Sequence, residues 1–479
     1  MRERTQRLKL THLAAIAGLL FGSLARPSPA LAADDGEAAF RDLYRELVET
    51  NTTLSAGDCT AGARAMAARL SKAGFADGDL QVLGPAEYPR EHALIATLQG
   101  RDPSLAPLLL LAHIDVVEAR REDWERDPFK LVEEDGWFYA RGASDDKAMA
   151  AVFTDSLIRY KRQGYKPRRT IKLALTCGEE TSESFNSVRW LLETKPDALK
   201  AAFALNEGAG GELDAAGKPV ALNIQAGEKV YQDFKLAITN VGGHSSRPTG
   251  DNAIYRLSAA LERLAAYRFP IALNDATRGY FEAQSRLVED KVAGDMRAVL
   301  QSSDEAAATR LWALNPGWNS MLRTTCVATM IQGGHAPNAL PQQVSANVNC
   351  RILPGVAVDA VQQQIARVLA DDAIRITPSD EPVVIGPPPP LTPQIMQPVR
   401  KLAQRLWPGV TVVPTMSTGA TDGRFLNASG IPTYGLSGMF HDAEGSRAHG
   451  LNERIRVKSL LDGRRFLHEI VKVYADQKP

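Results

Sequence analysis

Residues 108–117 have the sequence LLLLAHIDVV, in which a continuous apolar run ends at His113 and Asp115. An uninterrupted apolar run of this length is typical of a strand that is buried on both faces. Similar strand patterns occupy 92–98, 170–176 and 201–206, and helical patterns cover 37–50, 60–73, 147–163 and 184–194. Strands that alternate with helices predict an α/β fold with a mostly parallel sheet and helices on both faces.

The pattern changes after Glu228. Residues 229–239 alternate apolar and polar positions, a helical pattern covers 252–266, and strand patterns return at 324–332 and 344–352. This block indicates an α+β domain inserted into the first domain, whose pattern resumes with a helix at 357–371. The sequence therefore predicts a signal peptide over 1–32, the first part of the main domain over 33–228, an inserted domain over 229–353, and the second part of the main domain over 354–479.

The first 32 residues have the order of a secretory signal peptide. A basic start between Arg2 and Lys9 precedes an apolar run at 13–24 and the small residues Ala30 and Ala32. The apolar run is too short to span a bilayer as a stable helix, although an uncleaved membrane anchor is the alternative. We expect a secreted or periplasmic protein with no membrane span after signal removal.

Composition limits the class of protein. A chain of 479 residues with 44% hydrophobic and 23% charged residues is globular, and its length suits two domains. Lys and Arg together number 56, and Asp and Glu also number 56, so there is no bulk basic charge. We therefore expect no nucleic-acid partner.

The chain has four cysteines and no C-x-x-C pair, which argues against a thiolate metal site or a redox motif. Export permits disulfides, and Cys326 and Cys350 lie on two strand-like segments where they could pair. We nevertheless expect all four cysteines to be buried free thiols.

Acidic and histidine side chains follow the predicted strands of the main sheet. His113 and Asp115 follow the first buried strand on the same side, Glu179 and Glu180 follow the next, and Glu207 follows the third. Ligands of open α/β sheets bind outside these strand ends. Two adjacent carboxylates repel each other, which is tolerable where one binds a cation and the other handles a proton.

Two further motifs complete the set. Asp145 lies in the charged segment RGASDDK at 141–147, and His449 lies in RAHGLNE at 447–453. Each residue alone has a structural explanation, such as a helix N-cap for Asp145 or a satisfied core position for His113. Histidine, aspartate and glutamate together, without thiolates, suit a hydrolytic zinc site with an open position.

These ordered motifs resemble the two-zinc metallopeptidases that include glutamate carboxypeptidase, aminoacylase, carnosine dipeptidase and succinyl-diaminopimelate desuccinylase. The segments GGHSS at 242–246, NALP at 338–341 and NCRILP at 349–354 also fit this family. The segment from Asp123 to Phe129 and the ending HGLNE at 449–453 resemble the carboxypeptidase S-like branch most. The resemblance implies a zinc-exopeptidase-like catalytic domain whose inserted domain serves as a lid and a dimerisation surface.

The resemblance also implies two Zn²⁺ per subunit, with Co²⁺ or Mn²⁺ as alternatives. Its metal ligands would be His113, Asp145, Glu180, Glu207 and His449, with Asp145 bridging the two ions. His441 lies near His449 in sequence and is a rival ligand, but its context does not match the motif.

Catalytic roles follow from the same resemblance. Glu179 would be the general base for a zinc-bridged water, Asp115 would orient His113, and His244 would reach the neighbouring subunit's site in a homodimer. Residues expected to contact the substrate are Arg351, Asn338, Gly419 and Thr421.

The expected activity is cleavage of an amide bond next to a free-carboxylate amino acid, of the carboxypeptidase or dipeptidase type. An N-acyl amino acid hydrolase is the main alternative, and a non-catalytic periplasmic binding protein is a second one. A serine hydrolase would need G-x-S-x-G, and the segment GLSGM at 435–439 breaks that pattern. The family often has Gly at the position of Ala148 and Asp at that of Asn206, and neither of these two departures affects a predicted metal ligand.

Overall fold

The computed structural model describes residues 36–181, 185–379 and 383–478. The signal peptide predicted over 1–32 lies outside the described residues. The first part of the main domain contains helices α1 Glu37–Glu49, α2 Cys59–Lys72, α3 Lys147–Arg162, α4 Ser187–Thr194 and α5 Pro196–Leu199. Its strands are β1 Leu80–Leu83, β2 Ala93–Leu98, β3 Leu108–His113, β4 Val132–Glu134, β5 Trp137–Tyr139, β6 Ile171–Thr176, β7 Phe203–Asn206, β8 Gly211–Leu213 and β9 Pro219–Glu228.

The inserted domain has two kinds of structure, a sheet with flanking helices and a separate group of helices. Its strands are β10 Val230–Thr239, β11 Gly243–His244, β12 Thr325–Gly333, β13 Ala339–Leu340, β14 Gln343–Ile352 and β15 Arg375–Pro378. Its helices are α6 Ala253–Ala266, α7 Asp275–Gln284, α8 Asp290–Ser302, α9 Glu305–Leu314, α10 Pro316–Leu322 and α11 Val358–Leu369.

The chain then returns to the main domain. Helices of this last part are α12 Pro393–Leu406, α13 Gly423–Ala428 and α14 Val457–Asp476. Its strands are β16 Thr411–Ser417, β17 Thr433–Gly435, β18 Phe440–His441 and β19 Arg454–Arg456. Within the described residues, none of the helices is long and apolar enough to cross a membrane.

The main sheet runs in the order β1-β2-β6-β3-β7-β17-β9-β8-β18, with β16 paired to β9. Strands β3, β6, β7 and β17 form a parallel centre, and antiparallel pairs occur towards both edges. Helices α1, α2, α3, α12 and α14 pack into the large core on one face, whereas α4 packs on the other. The predicted α/β fold class is confirmed.

The inserted domain is built on an antiparallel sheet in the order β12-β14-β10-β15. Its own core lies between this sheet and the helices α6 and α11. Both α11 and β15 follow residue 353, where the sequence analysis ended the inserted domain. Both elements nevertheless pack with the sheet that contains β10 and β14.

Helices α7 to α10 were not predicted, and they form a small core of their own around Phe281 and Met296. Helix α7 packs against β16 and β9 of the main sheet. Lys229 strengthens this junction, because its Nζ donates to the carbonyl oxygens of Ser320 and Arg323 at 2.9 and 2.8 Å. The helical group therefore braces the inserted domain against the main domain.

All four cysteines form disulfides, so the expectation of four free thiols is wrong. Cys326 and Cys350 are directly opposite each other on β12 and β14, which explains their pairing. Cys59, the first residue of α2, is bonded to Cys177 at the end of β6. The second bridge escaped prediction because its two cysteines are 118 residues apart in sequence.

Candidate metal centre

Parallel pairing brings three predicted ligand positions to one edge of the main sheet. His113 ends β3, Glu180 follows β6 and Glu207 follows β7. His113 is 2% exposed, and its Nε2 lies 3.1 Å from Asp145 Oδ1 and 3.7 Å from Glu207 Oε1. His113, at the end of β3, thus contacts both Asp145 in the loop before α3 and Glu207 after β7.

These predicted ligands form a cluster, and His449 joins the cluster from the loop before β19. Its Nε2 lies 2.8 Å from Glu180 Oε2 and 3.4 Å from Asp145 Oδ2. The imidazole is half exposed, whereas Glu180 is buried. The rival His441 lies instead on β18, which pairs with β8 at Glu212.

Asp115 fixes the orientation of the His113 ring. His113 Nδ1 lies 3.0 Å from the carbonyl oxygen of Asp115 and 3.6 Å from its Oδ1. The other carboxylate oxygen of Asp115 accepts a hydrogen bond of 3.0 Å from the backbone N–H of Glu180. Asp115 therefore points Nε2 of His113 towards the cluster and ties β3 to the segment after β6.

Two overlapping sets of side chains can hold a metal ion. His113, Asp145 and Glu180 form one set, and His113, Glu179 and Glu207 form the other, with ligand atoms within 4.8 Å of one another in each. A third group around Asp115 includes Cys59 and Cys177, which are disulfide-bonded and offer no thiolate. Nitrogen and oxygen donors alone suit zinc, cobalt or manganese.

Burial and mutual repulsion shift the pKa values of these acids. Burial raises the pKa of Glu179 well above its ordinary value, and the neighbouring charge of Glu207 raises it further. Burial also raises the pKa of Glu207. Burial alone would lower the pKa of His113, but the charge of Glu207 and hydrogen bonds to Asp115 and Asp145 raise it well above the ordinary value.

Glu453 holds the loop that carries Asp145, a role the sequence analysis missed. It is 1% exposed, and its Oε2 accepts from Arg141 Nη1 at 2.8 Å and from the backbone N–H of Gly142 at 3.0 Å. Its Oε1 accepts from the backbone N–H groups of Ser144 and Asp145 at 2.8 and 3.0 Å. The signal was present in the motif HGLNE, whose acid had been used only to recognise the family.

The segment 419–424 lies against the cluster through hydrogen bonds from several elements. Thr421 Oγ1 accepts from Asn206 Nδ2 at 3.1 Å, next to Glu207. The backbone N–H of Thr421 donates to Glu228 Oε2 at 2.7 Å, and that of Gly419 donates to a serine hydroxyl at 3.0 Å. Asp422, which was not predicted, accepts from Asn186 Nδ2 at 2.7 Å, and burial raises its pKa to about 6.

Arg351 lies on β14 with its guanidinium 4.6 Å from the centre of the Tyr231 ring. It is half-buried, and burial lowers its pKa. The charge of Arg424 also acts on it, which places the two guanidinium groups near each other. Within the described residues, neither group has a hydrogen bond or an ion pair to a carboxylate.

His244 and Asn338 lie together but apart from the cluster. His244 ends β11, and Asn338 directly precedes β13, the short strand that pairs with β11. The backbone N–H of Ser245 donates to the carbonyl oxygen of Asn338 at 3.0 Å. The His244 side chain is exposed, and its Nδ1 accepts from the N–H of Ser246. Among the described residues, no hydrogen bond or ion pair joins either residue to the metal-ligand candidates.

Comparisons with known proteins identify the family to which the chain belongs. The model of peptidase family M20/M25/M40 matches residues 109–473. Human N-fatty-acyl-amino acid synthase/hydrolase PM20D1 is 31% identical over 414 residues, which cover 82% of this chain and 79% of that protein. Probable carboxypeptidase S-like 2 of Dictyostelium discoideum is 27% identical over 392 residues, which cover 80% of this chain and 74% of that protein.

The fold is also similar to that of an M20 family metallo-carboxypeptidase from Sulfolobus solfataricus. The TM-score is 0.68 at 19% sequence identity, with 91% of this chain and 99% of that chain covered. The resemblance found in the sequence is thereby confirmed. The chain belongs to peptidase family M20/M25/M40 and is a metal-dependent hydrolase.

Proposed function

We propose that this protein cleaves the amide bond that joins an acyl or peptidyl group to an amino acid with a free carboxylate. The observations that carry the proposal are the pair of overlapping ligand sets and the guanidinium of Arg351, which has no hydrogen bond or ion pair to a carboxylate among the described residues. The human relative is named for N-acyl amino acids and the D. discoideum relative for carboxypeptidase action. A free-carboxylate amino acid is common to both substrate types.

His113, Asp145, Glu180, Glu207 and His449 would hold two divalent ions, with zinc as the first candidate. Such ions polarise the amide carbonyl and lower the pKa of a bound water. Asp115 would keep the His113 ring in its ligating orientation, and Glu453 would keep Asp145 in place.

Glu179 is the proposed general base. Its carboxylate lies with His113 and Glu207 in one of the two candidate ligand sets, next to where a metal-bound water would be. In the proposed reaction, Glu179 accepts a proton from the attacking water and passes it to the leaving amine.

Replacing Glu179 with Ala tests this role, and Glu180→Ala is the matched control. We expect Glu179→Ala to lower kcat by about 10²–10⁴-fold while bound metal stays near wild type. Glu180→Ala should instead lower the metal content. Metal content is measured by atomic emission and turnover by release of the free amino acid. Loss of metal in the first variant and retention in the second would mean that the two roles are exchanged.

Arg351 is the proposed partner of the substrate carboxylate, because a guanidinium binds a carboxylate through two parallel hydrogen bonds. We expect Arg351→Ala to raise KM for a free-carboxylate substrate by about 10–100-fold, in line with the loss of a charge-assisted hydrogen bond. A C-terminally amidated substrate is the control. An equal rise in KM for both substrates would contradict the assignment of Arg351 to the substrate carboxylate.

His244 is proposed to act across a homodimer. The edge strand β12 exposes Val327, Met330 and Ile331 to 59–60%, an apolar stripe that a second copy would cover. The exposed His244 would then reach the neighbouring metal centre and stabilise the developing oxyanion.

Mixing two inactive variants tests this arrangement. After subunit exchange between Glu179→Ala and His244→Ala, about a quarter of wild-type activity should return, because half of the dimers are mixed and each contains one intact site. A mixture as inactive as its components would show that His244 does not act in the partner's site.

Secretion or periplasmic location is part of the proposal. Both disulfides are of the kind that form in oxidising compartments, which agrees with the signal peptide predicted over 1–32. Fractionation of the producing cells tests the location, and N-terminal sequencing of the mature protein should give a start near Ala33.

A further inference from the structure

A cavity of about 620 Å³ lies between the main sheet and the inserted domain. This volume is within the range of small-molecule sites in proteins. Gly178, which directly precedes Glu179, belongs to its wall. Tyr231 belongs to its wall as well, and the guanidinium of Arg351 lies 4.6 Å from the centre of the Tyr231 ring. The cavity therefore adjoins both the proposed general base and the proposed partner of the substrate carboxylate.

The covalent structure of the substrate connects these two points. In the amide that the protein is proposed to cleave, a single carbon, Cα, separates the scissile nitrogen from the free carboxylate. The side chain of the amino acid branches from this carbon, whereas the acyl or peptidyl group lies on the other side of the scissile bond. A substrate held with its amide at Glu179 and its carboxylate at Arg351 would thus have the cavity beside its Cα, where the side chain begins.

The wall of the cavity offers apolar surface to such a side chain. The rings of Phe185 and Trp190 meet edge to face with centroids 6.2 Å apart, and Phe185 stacks on Tyr88 at 4.9 Å. Because these rings are held by the fold, an apolar group finds their surface without the cost of ordering it. The apolar residues of the wall are Phe185, Trp190, Val230, Val384, Pro388 and Phe425.

The carboxylates of the cavity have partners within the protein. Glu193 pairs with Arg189 at 3.1 Å. Asp233 accepts three hydrogen bonds from side chains at 2.6–2.9 Å, and Glu228 accepts one from the backbone N–H of Thr421 at 2.7 Å. A cationic side chain of a substrate would therefore have to compete with these partners.

The basic groups of the cavity are also engaged. Nζ of Lys229 donates to carbonyl oxygens outside the cavity wall, those of Ser320 and Arg323. The guanidinium of Arg424 lies 4.7 Å from the centre of the Phe425 ring, and its charge acts on the carboxyl group of Glu228. An anionic side chain of a substrate would meet Arg424 together with the acidic groups of the same wall. An uncharged side chain avoids the cost of burying a charge without a dedicated partner.

We propose that this cavity binds the side chain of the amino acid that carries the free carboxylate, and that it selects a large uncharged side chain such as that of phenylalanine or leucine. This inference rests on the proposed function and names the amino acid on the amine side of the scissile bond. It leaves the acyl or peptidyl group open.

Binding to the turnover-deficient Glu179→Ala protein, loaded with metal, gives the first test. Derivatives of glycine, leucine, phenylalanine, glutamate and lysine that all carry the same hexanoyl group are titrated by calorimetry, so that only the side chain varies. We expect the Kd of the phenylalanine derivative to be about 10–100-fold lower than that of the glycine derivative, because a large apolar side chain becomes buried.

The two charged derivatives are the matched controls of this comparison. Those of glutamate and lysine should bind no more tightly than that of glycine, because the cavity has no dedicated partner for either charge. The inference is overturned if the five Kd values agree within about twofold, or if a charged derivative binds most tightly.

Val384→Trp gives the second test, because the larger side chain would occupy part of the cavity. We expect it to lower the phenylalanine-to-glycine ratio of kcat/KM about tenfold, which corresponds to the loss of about half of the burial of a phenyl ring. Val473→Trp is the matched control, since Val473 is an exposed residue of α14 outside the cavity. A ratio in Val384→Trp equal to that of wild type would contradict the position of the side chain.

Failure of this inference is distinguishable from failure of the proposed function. Hydrolysis that depends on metal and Glu179 but is indifferent to the amino acid side chain would remove only the side-chain site. Binding that follows the expected order of side chains, without hydrolysis of any substrate by wild type, would keep the side-chain site and remove the proposed activity.

Discussion

Glu453→Gln should destabilise the protein and weaken its metal site, although the substitution barely changes the shape of the side chain. Both carboxylate oxygens of Glu453 accept two hydrogen bonds each. An amide in its place presents one oxygen and one NH₂ group. Two of the four donors would then face another donor, and the buried Arg141 would lose its counter-charge.

The expected size follows from burial. Arg141 is 3% and Glu453 1% exposed, so water cannot replace the lost partner. Breaking a buried ion pair by removing one charge costs about 3–5 kcal/mol of the free energy of unfolding. Since the N–H of Asp145 is one of the donors, the metal affinity should also fall by about 10–100-fold.

Urea unfolding of the metal-free protein measures the first effect, and competition with a chromogenic chelator measures the second. Asp462→Asn is the matched control, because Asp462 forms a surface pair with Lys458, whose side chain is 78% exposed. Surface pairs contribute about 0–1 kcal/mol, so this variant should resemble wild type. The reasoning is refuted if Glu453→Gln lies within 1 kcal/mol of wild type and binds metal equally well.

Two further predictions concern stability. Replacing Cys59 and Cys177 with Ala should lower the free energy of unfolding by about 5 kcal/mol and remove much of the metal affinity. Replacing Cys326 and Cys350 with Ala should lower the free energy of unfolding by about 3 kcal/mol. The first effect is larger because the closed loops are 118 and 24 residues long. Urea unfolding of the two double variants checks the order, and the reverse order would contradict the loop argument. Burial raises the pKa of Glu228 to about 8, so Glu228 loses its proton at a lower pH in the unfolded chain than in the folded protein. The free energy of unfolding of wild type should therefore fall by at most about 5 kcal/mol as the pH rises from 4.5 to 8. The free energy of unfolding of Glu228→Gln should not show this fall. If urea unfolding gave the same pH dependence for the variant and for wild type, the raised pKa of Glu228 would be disproved.

The sequence predicts the parts of the site that depend on neighbouring strands. An apolar run marks each buried strand, and parallel strands place their carboxyl ends at one edge. The residues that follow β3, β6 and β7 had to lie near one another once the fold class was recognised. His113, Glu180 and Glu207 are therefore foreseeable from local patterns combined with one rule of topology.

Contacts between distant segments could not be predicted in this way. Glu453 reaches Asp145 because β19 pairs with β5, and no local pattern indicates that Ile455 lies opposite Phe138. The Cys59–Cys177 bridge likewise depends on how α2 packs against β2, the strand that neighbours β6. Helices α7 to α10 were missed although Asn274 and Thr277 form a capping box, a start signal that can be found in sequence.

The acidic cluster needs these distant contacts, because buried carboxylates repel one another. Burial raises the pKa of Glu179 and Glu207, which shows that their charged forms are disfavoured where they lie. Hydrogen bonds from the backbone oppose the repulsion. Asp115 accepts from the N–H of Glu180, and Glu453 accepts from the N–H of Asp145. The ligand candidates are thus kept in place by groups that do not themselves bind metal. A divalent cation would be attracted to carboxylates that the fold already holds close together.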